Sequence, residues 1–452
     1  MTKDIETICA VATPSGRGGI SIIRISGPES RSVANKITGS DPIPRHAHYG
    51  PFISKYGEVL DEGITLFFPG PDSFTGEDVV ELQAHGGPFV IDLILQEILS
   101  MGLRHARPGE FSERAFLNDK IDLAQAEAIA DLIDSDSTEA ARFALRSLQG
   151  EFSDQVNSHV AAIIELRKYI EAALDFPEEE VDFLSDGNVA SRLQGIIDDL
   201  VILLDQAKHG SIMKEGLSVV IAGQPNAGKS SLLNKLSGQS RAIVTDIAGT
   251  TRDILKEHIS IDGMPLHIID TAGLHESEDL VELEGIRRAW KEIEDADLVL
   301  LVCDSSVGTD IAKIPLWLTI SAKLESPEKL LVVFNKSDLL EEEVRVEAQN
   351  NFVYLSAKTG DGLDHLKSAI KQFAGLSNSV EGRFIARRRH LDALNKSLAC
   401  LYLAQEQLNS HHAGELVAEE LKAAHLSLEE ITGAYSADDL LGEIFSSFCI
   451  GK

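Results

Sequence analysis

Gly223-Gln-Pro-Asn-Ala-Gly-Lys-Ser230 matches the pattern GxxxxGK[ST] and decides how the middle of this chain folds. The apolar run Leu217–Ala222 precedes it and reads as a strand, and Ser230–Leu236 reads as the helix that it opens. In such a strand–loop–helix unit the backbone N–H groups cradle phosphates at a helix N-terminus. Lys229 would neutralise β- and γ-phosphate oxygens, and the Ser230 hydroxyl would ligate Mg²⁺. A Gly-rich turn without a ligand is the competing reading of this octapeptide taken alone.

Four further signals follow in order. The strand-like run Leu266–Asp270 ends in an acid and continues as Thr271-Ala272-Gly273, placing an Asp near the metal and a Gly where backbone can approach a γ-phosphate. Between the two motifs, Thr250-Thr251 lies in a Gly- and Thr-bearing loop suited to completing the Mg²⁺ shell. Asn335-Lys336-Ser-Asp338 closes the run Lys329–Phe334, and its Asp can accept both N1–H and the exocyclic amine of guanine. A site built around those donors rejects a base that lacks them, because its polar groups would be left unpaired. Ser356-Ala357-Lys358 follows another apolar run, as a base-supporting loop would. These signals specify an α/β guanine-nucleotide domain. Leu274 occupies the position after Gly273 where many GTPases carry a water-positioning Gln, so the hydrolytic residue is sought among the acids from Glu276 to Glu284.

Outward from this unit, 452 residues suggest about three domains at roughly 150 residues each. Residues 1–118 read as α+β, with strands at Ile20–Ile25 and Ile64–Phe68 and a helix at Pro88–Ser100. Residues 119–215 are helical by periodicity (Leu123, Ala126, Ile129, Ala130, Ile133), residues 216–375 alternate strand and helix, and residues 376–452 are helical again. The expected architecture is therefore multidomain: an N-terminal α+β domain, and an all-α helical domain in two parts with a P-loop α/β domain inserted between them.

The chain carries 41 Lys+Arg against 72 Asp+Glu, a formal charge of −31, which excludes a protein that holds nucleic acid by charge alone. The acidity peaks in residues 119–215, at −13, while the two ends carry only −5 and −4. Apolar runs such as Leu298–Cys303 are strand-length, far from the ~20 residues of a membrane span. Met1–Ala10 shows no apolar signal region, and Cys9, Cys303, Cys400 and Cys449 form no CxxC pair, so we expect a protein of the reducing cytoplasm with neither disulfides nor a zinc site. Arg387-Arg-Arg-His390 reads as a solvated basic helix face able to touch phosphate, His411-His412 as no metal site, and Glu178-Glu-Glu180 as solvated helix or linker.

Taken together, Asn226 in the P-loop, Thr245-Asp-Ile-Ala-Gly-Thr-Thr-Arg-Asp253, Thr13-Pro-Ser-Gly-Arg-Gly-Gly19, Arg107-Pro-Gly-Glu-Phe111 and the terminal Phe448-Cys-Ile-Gly-Lys452 resemble the bacterial tRNA-modification GTPases of the MnmE (TrmE) family, over the whole chain. The resemblance implies a homodimer that works with a flavin (FAD)- and NADH-dependent partner, MnmG (GidA), in a heterotetramer or larger complex. It implies that this complex handles tRNA and installs a carboxymethylaminomethyl group at C5 of the wobble uridine. It also implies GTP contacts at Asn226, Ala227, Gly228, Lys229, Ser230 and Ser231, at Thr245, Asp246, Ile247, Ala248, Gly249, Thr250 and Thr251, at Asp270–Gly273, and at Asn335, Lys336, Asp338, Ser356, Ala357 and Lys358. Ser230 and Thr251 match the family's Mg²⁺ ligands, and Asn226, Thr245, Ile247 and Thr250 its K⁺ ligands. Glu282 matches the acid that orients water; His275 stands where an Arg is expected in relatives, so no arginine role carries over. Arg24, Glu81, Lys120 and Lys452 match contacts to a 5-formyl- or methylene-type tetrahydrofolate, although without the resemblance Arg24 and Lys120 read as surface charges. Cys449 matches a catalytic thiol; by itself it reads equally as a small apolar residue. The reading from a different class is an RNA-binding assembly or signalling GTPase whose outer segments only recognise partners.

Overall fold

The computed structural model describes residues 6–135, 137–175, 188–239, 256–261, 264–270, 287, 290–324, 326–340, 352–374, 384–411, 413–434, 438–446, 448 and 451. It divides into two compact units, residues 1–134, 145–200 and 393–452 forming one, and residues 135–144 and 201–392 the other.

The first unit begins with a six-stranded sheet of β1 (Ile8–Val11), β2 (Ile20–Ser26), β3 (His48–Ile53), β4 (Val59–Phe68), β5 (Val79–His85) and β6 (Arg104–His105), in the order β3-β4-β5-β2-β1-β6. All pairings are antiparallel except β1 with β6. Side chains alternate across a sheet, so Ile23 and Ile25 share one face with Val80, Leu82 and Ala84. That face is closed by α1 (Ser30–Thr38) and α2 (Pro88–Ser100), through Val33, Ile37, Ile91, Ile94 and Ile98. Pro88 sits in the first turn of α2, where its fixed φ suits a helix start. The opposite face presents Arg24 on β2 directly across from Glu81 on β5.

Behind β6, α3 (Glu110–Leu117) explains why Arg107–Phe111 has its particular residues. Gly109 has φ +67°, and a Cβ there would stand 2.5 Å from the Phe445 carbonyl oxygen. Phe111 packs with Ile8, Ala10 and Ala106. Glu110, 2% exposed, binds Arg104 at 2.6 Å and Arg114 at 3.1 Å and accepts the Arg107 N–H. Burial pushes its carboxyl up, but the hydrogen bonds from Arg104, Arg107 and Arg114 outweigh this and bring it down to about 2.

The helices of this unit include α4 (Leu123–Ile133), α6 (Glu151–Asp175) and the first residues of α7 (Asn188–Glu215). Asp122 and Gln125 form a reciprocal capping box that starts α4. A short helix, α5 (Thr138–Leu148), comes between α4 and α6 in the chain, with its residues up to 144 assigned to the other unit. The second unit is built on β7 (Leu217–Gly223), β8 (Lys256–Ile261), β9 (Met264–Asp270), β10 (Leu298–Asp304), β11 (Leu330–Asn335) and β12 (Phe352–Tyr354), in the order β12-β11-β10-β7-β9-β8. Every pairing is parallel but β8 with β9. Parallel strands covered on both faces are apolar throughout, as in β10 and β11. One core lies with α8 (Lys229–Gln239) and α10 (Leu363–Phe373), the other with α9 (Pro315–Lys323).

The chain ends with α11 (Arg388–His411), α12 (Gly414–Thr432) and α13 (Asp438–Ser446), and α12 packs along α6. The run Arg387–His390 is not a uniformly solvated face: Arg388 is exposed, but His390 is 2% exposed and its Nδ1 accepts the Arg387 N–H, so the run folds into the start of α11. Glu178–Glu180 and His412 lie outside the described residues.

The buried Glu110 yields a pH prediction. Its folded carboxyl lies below the ordinary 4.5, so its contribution is fully present above that pH and is lost as pH falls toward about 2. At about 1.4 kcal/mol per unit this amounts to roughly 3 kcal/mol. Urea unfolding of Glu110→Gln should show that deficit at pH 7 and a shrinking gap to wild type below pH 4.5. Equal stabilities at pH 7 would contradict the assignment.

Candidate functional site

The loop between β7 and α8 is shaped by three residues. Gly223 has φ +154°, and a Cβ there would lie 2.2 Å from the Val302 carbonyl oxygen of the neighbouring strand. Asn226 adopts a left-handed conformation, φ +62°, which Asn tolerates better than most residues. Gly228, at φ +94°, is approached so closely that a Cβ would meet Asn335 Nδ2 at 2.2 Å. The loop is thus a backbone cradle with no room for side chains at two points. It is followed by a helix whose first amides are unpaired within the helix, the arrangement that accepts phosphate. Lys229 Nζ donates to the carbonyls of Gly223 (2.8 Å) and Gln224 (3.1 Å), placing its ammonium over this loop.

The base-side loops meet the cradle through Asn335 at the end of β11. Its Nδ2 donates to the Ala227 carbonyl at 2.8 Å, and its Oδ1 accepts the Ala357 N–H at 2.9 Å. Lys336 is left-handed, φ +65°, and turns the chain into the short 3-10 helix Ser337–Leu339. Ser356, fully buried, donates its hydroxyl to Asp338 Oδ1 at 2.7 Å. Asn226–Ser231, Asn335, Lys336, Asp338 and Ser356–Lys358 therefore gather at the carboxyl edge of one parallel sheet, the usual crevice for ligands in such folds. Asp304, which the sequence reading passed over, joins them: its carboxylate holds Lys336 Nζ at 2.5 Å. An acid one residue beyond the apolar run Leu298–Cys303 was the only signal for it.

β9 delivers Asp270 to the same edge, although its side chain is outside the described residues. So are Thr245, Asp246, Ile247, Ala248, Gly249, Thr250, Thr251, Thr271, Ala272, Gly273, Leu274, His275, Glu282, Cys449 and Lys452.

In the N-terminal unit Arg24 donates through Nε and Nη2 to Glu81 Oε1 at 3.0 and 2.8 Å. The guanidinium lies 5.4 Å from the Phe74 ring and 5.7 Å from the Phe111 ring. Lys120 is exposed, with its stem beside Gly76. Two residues of the terminal pentapeptide, Phe448 and Gly451, are held against this unit. Phe448 is buried with Leu123, Ala126 and Phe445, and Gly451 (φ +96°) lies so near Val11 that a Cβ would meet its carbonyl oxygen at 2.2 Å. A cavity of about 810 Å³ adjoins this anchor, with Thr13, Ser15, Ser21, Asp92, His105 and Phe448 among its walls. The other thiols are poor nucleophiles: burial pushes Cys9 up to about 12 and Cys303 to about 11, and raises Cys400.

Among the described residues no cluster of three or more His, Cys, Asp or Glu could hold a metal, and no helix is long and apolar enough to cross a membrane.

A GxxxxGK[ST] loop between strand and helix, tied through one carboxamide to the turn Asn335–Asp338, is the arrangement of a P-loop GTPase. Comparison with known proteins narrows that class. Residues 123–449 match the family model of the MnmE helical domain, and residues 7–120 that of the GTP-binding protein TrmE N-terminus. The tRNA modification GTPase MnmE of Chromohalobacter salexigens is 59% identical over 449 residues, covering 99% of this chain and 98% of that one. Its counterpart in Pectobacterium carotovorum is 57% identical over 453 residues, covering 100% of both. Among solved structures, Aquifex aeolicus Era bound to GDP·AlF4⁻ is 26% identical and covers 41% of this chain and 67% of that one, with a TM-score of 0.28. The chain belongs to the MnmE family of tRNA modification GTPases, with the N-terminal α+β, helical and P-loop folds expected from its sequence.

Gly228→Ala tests the cradle. The added methyl forces the loop off Asn335 and should weaken GDP binding by about 10–100-fold, the equivalent of 1–3 kcal/mol of overpacking, in a fluorescent-nucleotide titration. Wild-type affinity would show that the close approach is immaterial.

Proposed function

We propose that this chain is a K⁺-stimulated GTPase of the wobble-uridine modification pathway. Together with an FAD-dependent MnmG-type subunit, it would add a carboxymethylaminomethyl group at C5 of the wobble uridine from a tetrahydrofolate one-carbon unit. The observation that carries the GTPase half is the Asn335 tie between the phosphate cradle and the guanine turn.

Within the G domain, taken as residues 216–375, Lys229 would meet the β- and γ-oxygens, while Asp338 accepts the two guanine donors and is itself oriented by Ser356. Ser230 and Thr251 would hold Mg²⁺. Asn226, Thr245, Ile247 and Thr250 would hold K⁺, an all-oxygen donor set suited to a hard cation, and the left-handed Asn226 is the member whose backbone is described. K⁺ bound there supplies the positive charge that an arginine finger provides elsewhere. Because Leu274 cannot orient water, Glu282 takes that role.

Residues 1–118 would bind the folate. A carboxylate paired with an arginine that lies beside two aromatic rings suits a pterin, with Glu81 accepting its N3–H and 2-amino group while Arg24, Phe74 and Phe111 bound the space. Lys120 and Lys452 would meet the glutamyl tail, and the cavity beside Phe448 and Gly451 would bring Cys449 to the one-carbon chemistry. Phe89 (85% exposed), Tyr49 (67%) and Ile20 (66%) leave apolar surface on this unit that a second copy would cover in a homodimer. Residues 119–215 and 376–452 form the helical domain of this reading. The net charge of −31 favours a partner that supplies the basic surface for tRNA in the cytoplasm.

GTP turnover should be markedly faster in K⁺ than in Na⁺ at equal ionic strength, and Asn226→Ala should erase the difference. Equal wild-type rates would remove the cation from the mechanism. Cys449→Ser, expressed in a strain lacking the wild-type protein, should abolish the wobble modification in nucleoside digests while GTP is still hydrolysed. Intact modification there would sink the catalytic thiol.

A further inference from the structure

Asp304 is the last residue of β10 and lies directly across from Asn335 in the parallel register, which sets an acid beside the start of the guanine turn. Its two oxygens have separate partners. Oδ1 accepts the Ser306 N–H at 3.0 Å and the Ser306 hydroxyl at 2.6 Å, while Oδ2 accepts Lys336 Nζ at 2.5 Å. Burial alone would raise this carboxyl, yet the bonds from Lys336 and Ser306 hold it below the ordinary range, so it is a fixed anion. Lys336 is also held from its other end. The Ser337 N–H donates to the Leu355 carbonyl, and the Leu339 N–H to that of Lys336, which pins the left-handed backbone.

We propose that Asp304 is a positioning residue for the purine: it fixes the Lys336 ammonium so that the lysine's aliphatic stem is already set for the ring before nucleotide arrives. The inference rests on the reading of Asn335–Asp338 as the guanine turn. A lysine stem has many rotamers, and a site that must order one on binding loses affinity. Stacking against the stem does not depend on the exocyclic amine, which Asp338 reads, so Asp304 acts alike on guanine and hypoxanthine.

The test is stopped-flow displacement of mant-GDP and mant-IDP from the full-length protein. Asp304→Asn should raise both off-rates by about the same factor, roughly 3–10-fold, as expected when one long side chain must be ordered. In a Lys336→Met background the same substitution should add nothing. Ser306→Ala, which removes the hydroxyl bond to Oδ1 and keeps the backbone N–H bond, should give a smaller rise with the same dependence on Lys336, and it carries the test if Asp304→Asn does not fold. Unchanged off-rates, an effect confined to one base, or an equal rise in the Lys336→Met background would each overturn the proposal. Asp338→Asn is the control for the underlying reading: it should erase the preference for GDP over IDP, and if it does not, the guanine turn is wrong whatever Asp304 does.

Discussion

The carboxamide of Asn335 is the interaction on which the nucleotide site depends. It spends its donor on the Ala227 carbonyl and its acceptor on the Ala357 amide, so one planar group fixes the phosphate loop and the base-supporting loop together. A hydroxyl could not make both bonds in those directions, and a carboxylate would repel the Ala227 carbonyl. The same contact dictates Gly228, because any Cβ there would occupy the place of Asn335 Nδ2. Around it the parallel sheet supplies the rigid frame, with β7, β10 and β11 ending at one edge.

The N-terminal unit works through a different constraint. Antiparallel register places Arg24 against Glu81, and the Arg24 guanidinium lies beside the rings of Phe74 and Phe111. The ion network centred on Glu110 joins the α3 start to β6, and Gly109 lets the Phe445 carbonyl come close. Residues from the two ends of the chain thereby meet within one unit, with Gly451 against Val11.

How much of this was legible in the sequence depended on whether the decisive contact was local. The helix Pro88–Ser100 matches its expected bounds, because a proline at its start and a continuous apolar pattern mark it. The strands β7, β9, β10 and β11 fall within one or two residues of their expected runs, since doubly covered strands are apolar throughout. β1 has four residues and β6 only two, too short to carry a period, and neither was foreseen. Arg24 read as a surface charge without the family resemblance because its partner is 57 residues away. Asp304 was hidden for the same reason: it looked like the end of a strand until β11 brought Lys336 beside it. His390 was misjudged as solvated because three neighbouring arginines masked a buried position at the start of α11.

The large negative charge constrains function without deciding fold. It leaves the nucleotide loop and the Asn335–Asp338 turn intact as local features, and it argues against a grip on a polyanion by charge alone. The most direct test of the account as a whole is mass analysis of tRNA nucleosides from a strain lacking this protein. The account predicts that uridine carrying a carboxymethylaminomethyl group at C5 of the wobble position disappears. An unchanged nucleoside profile would contradict it.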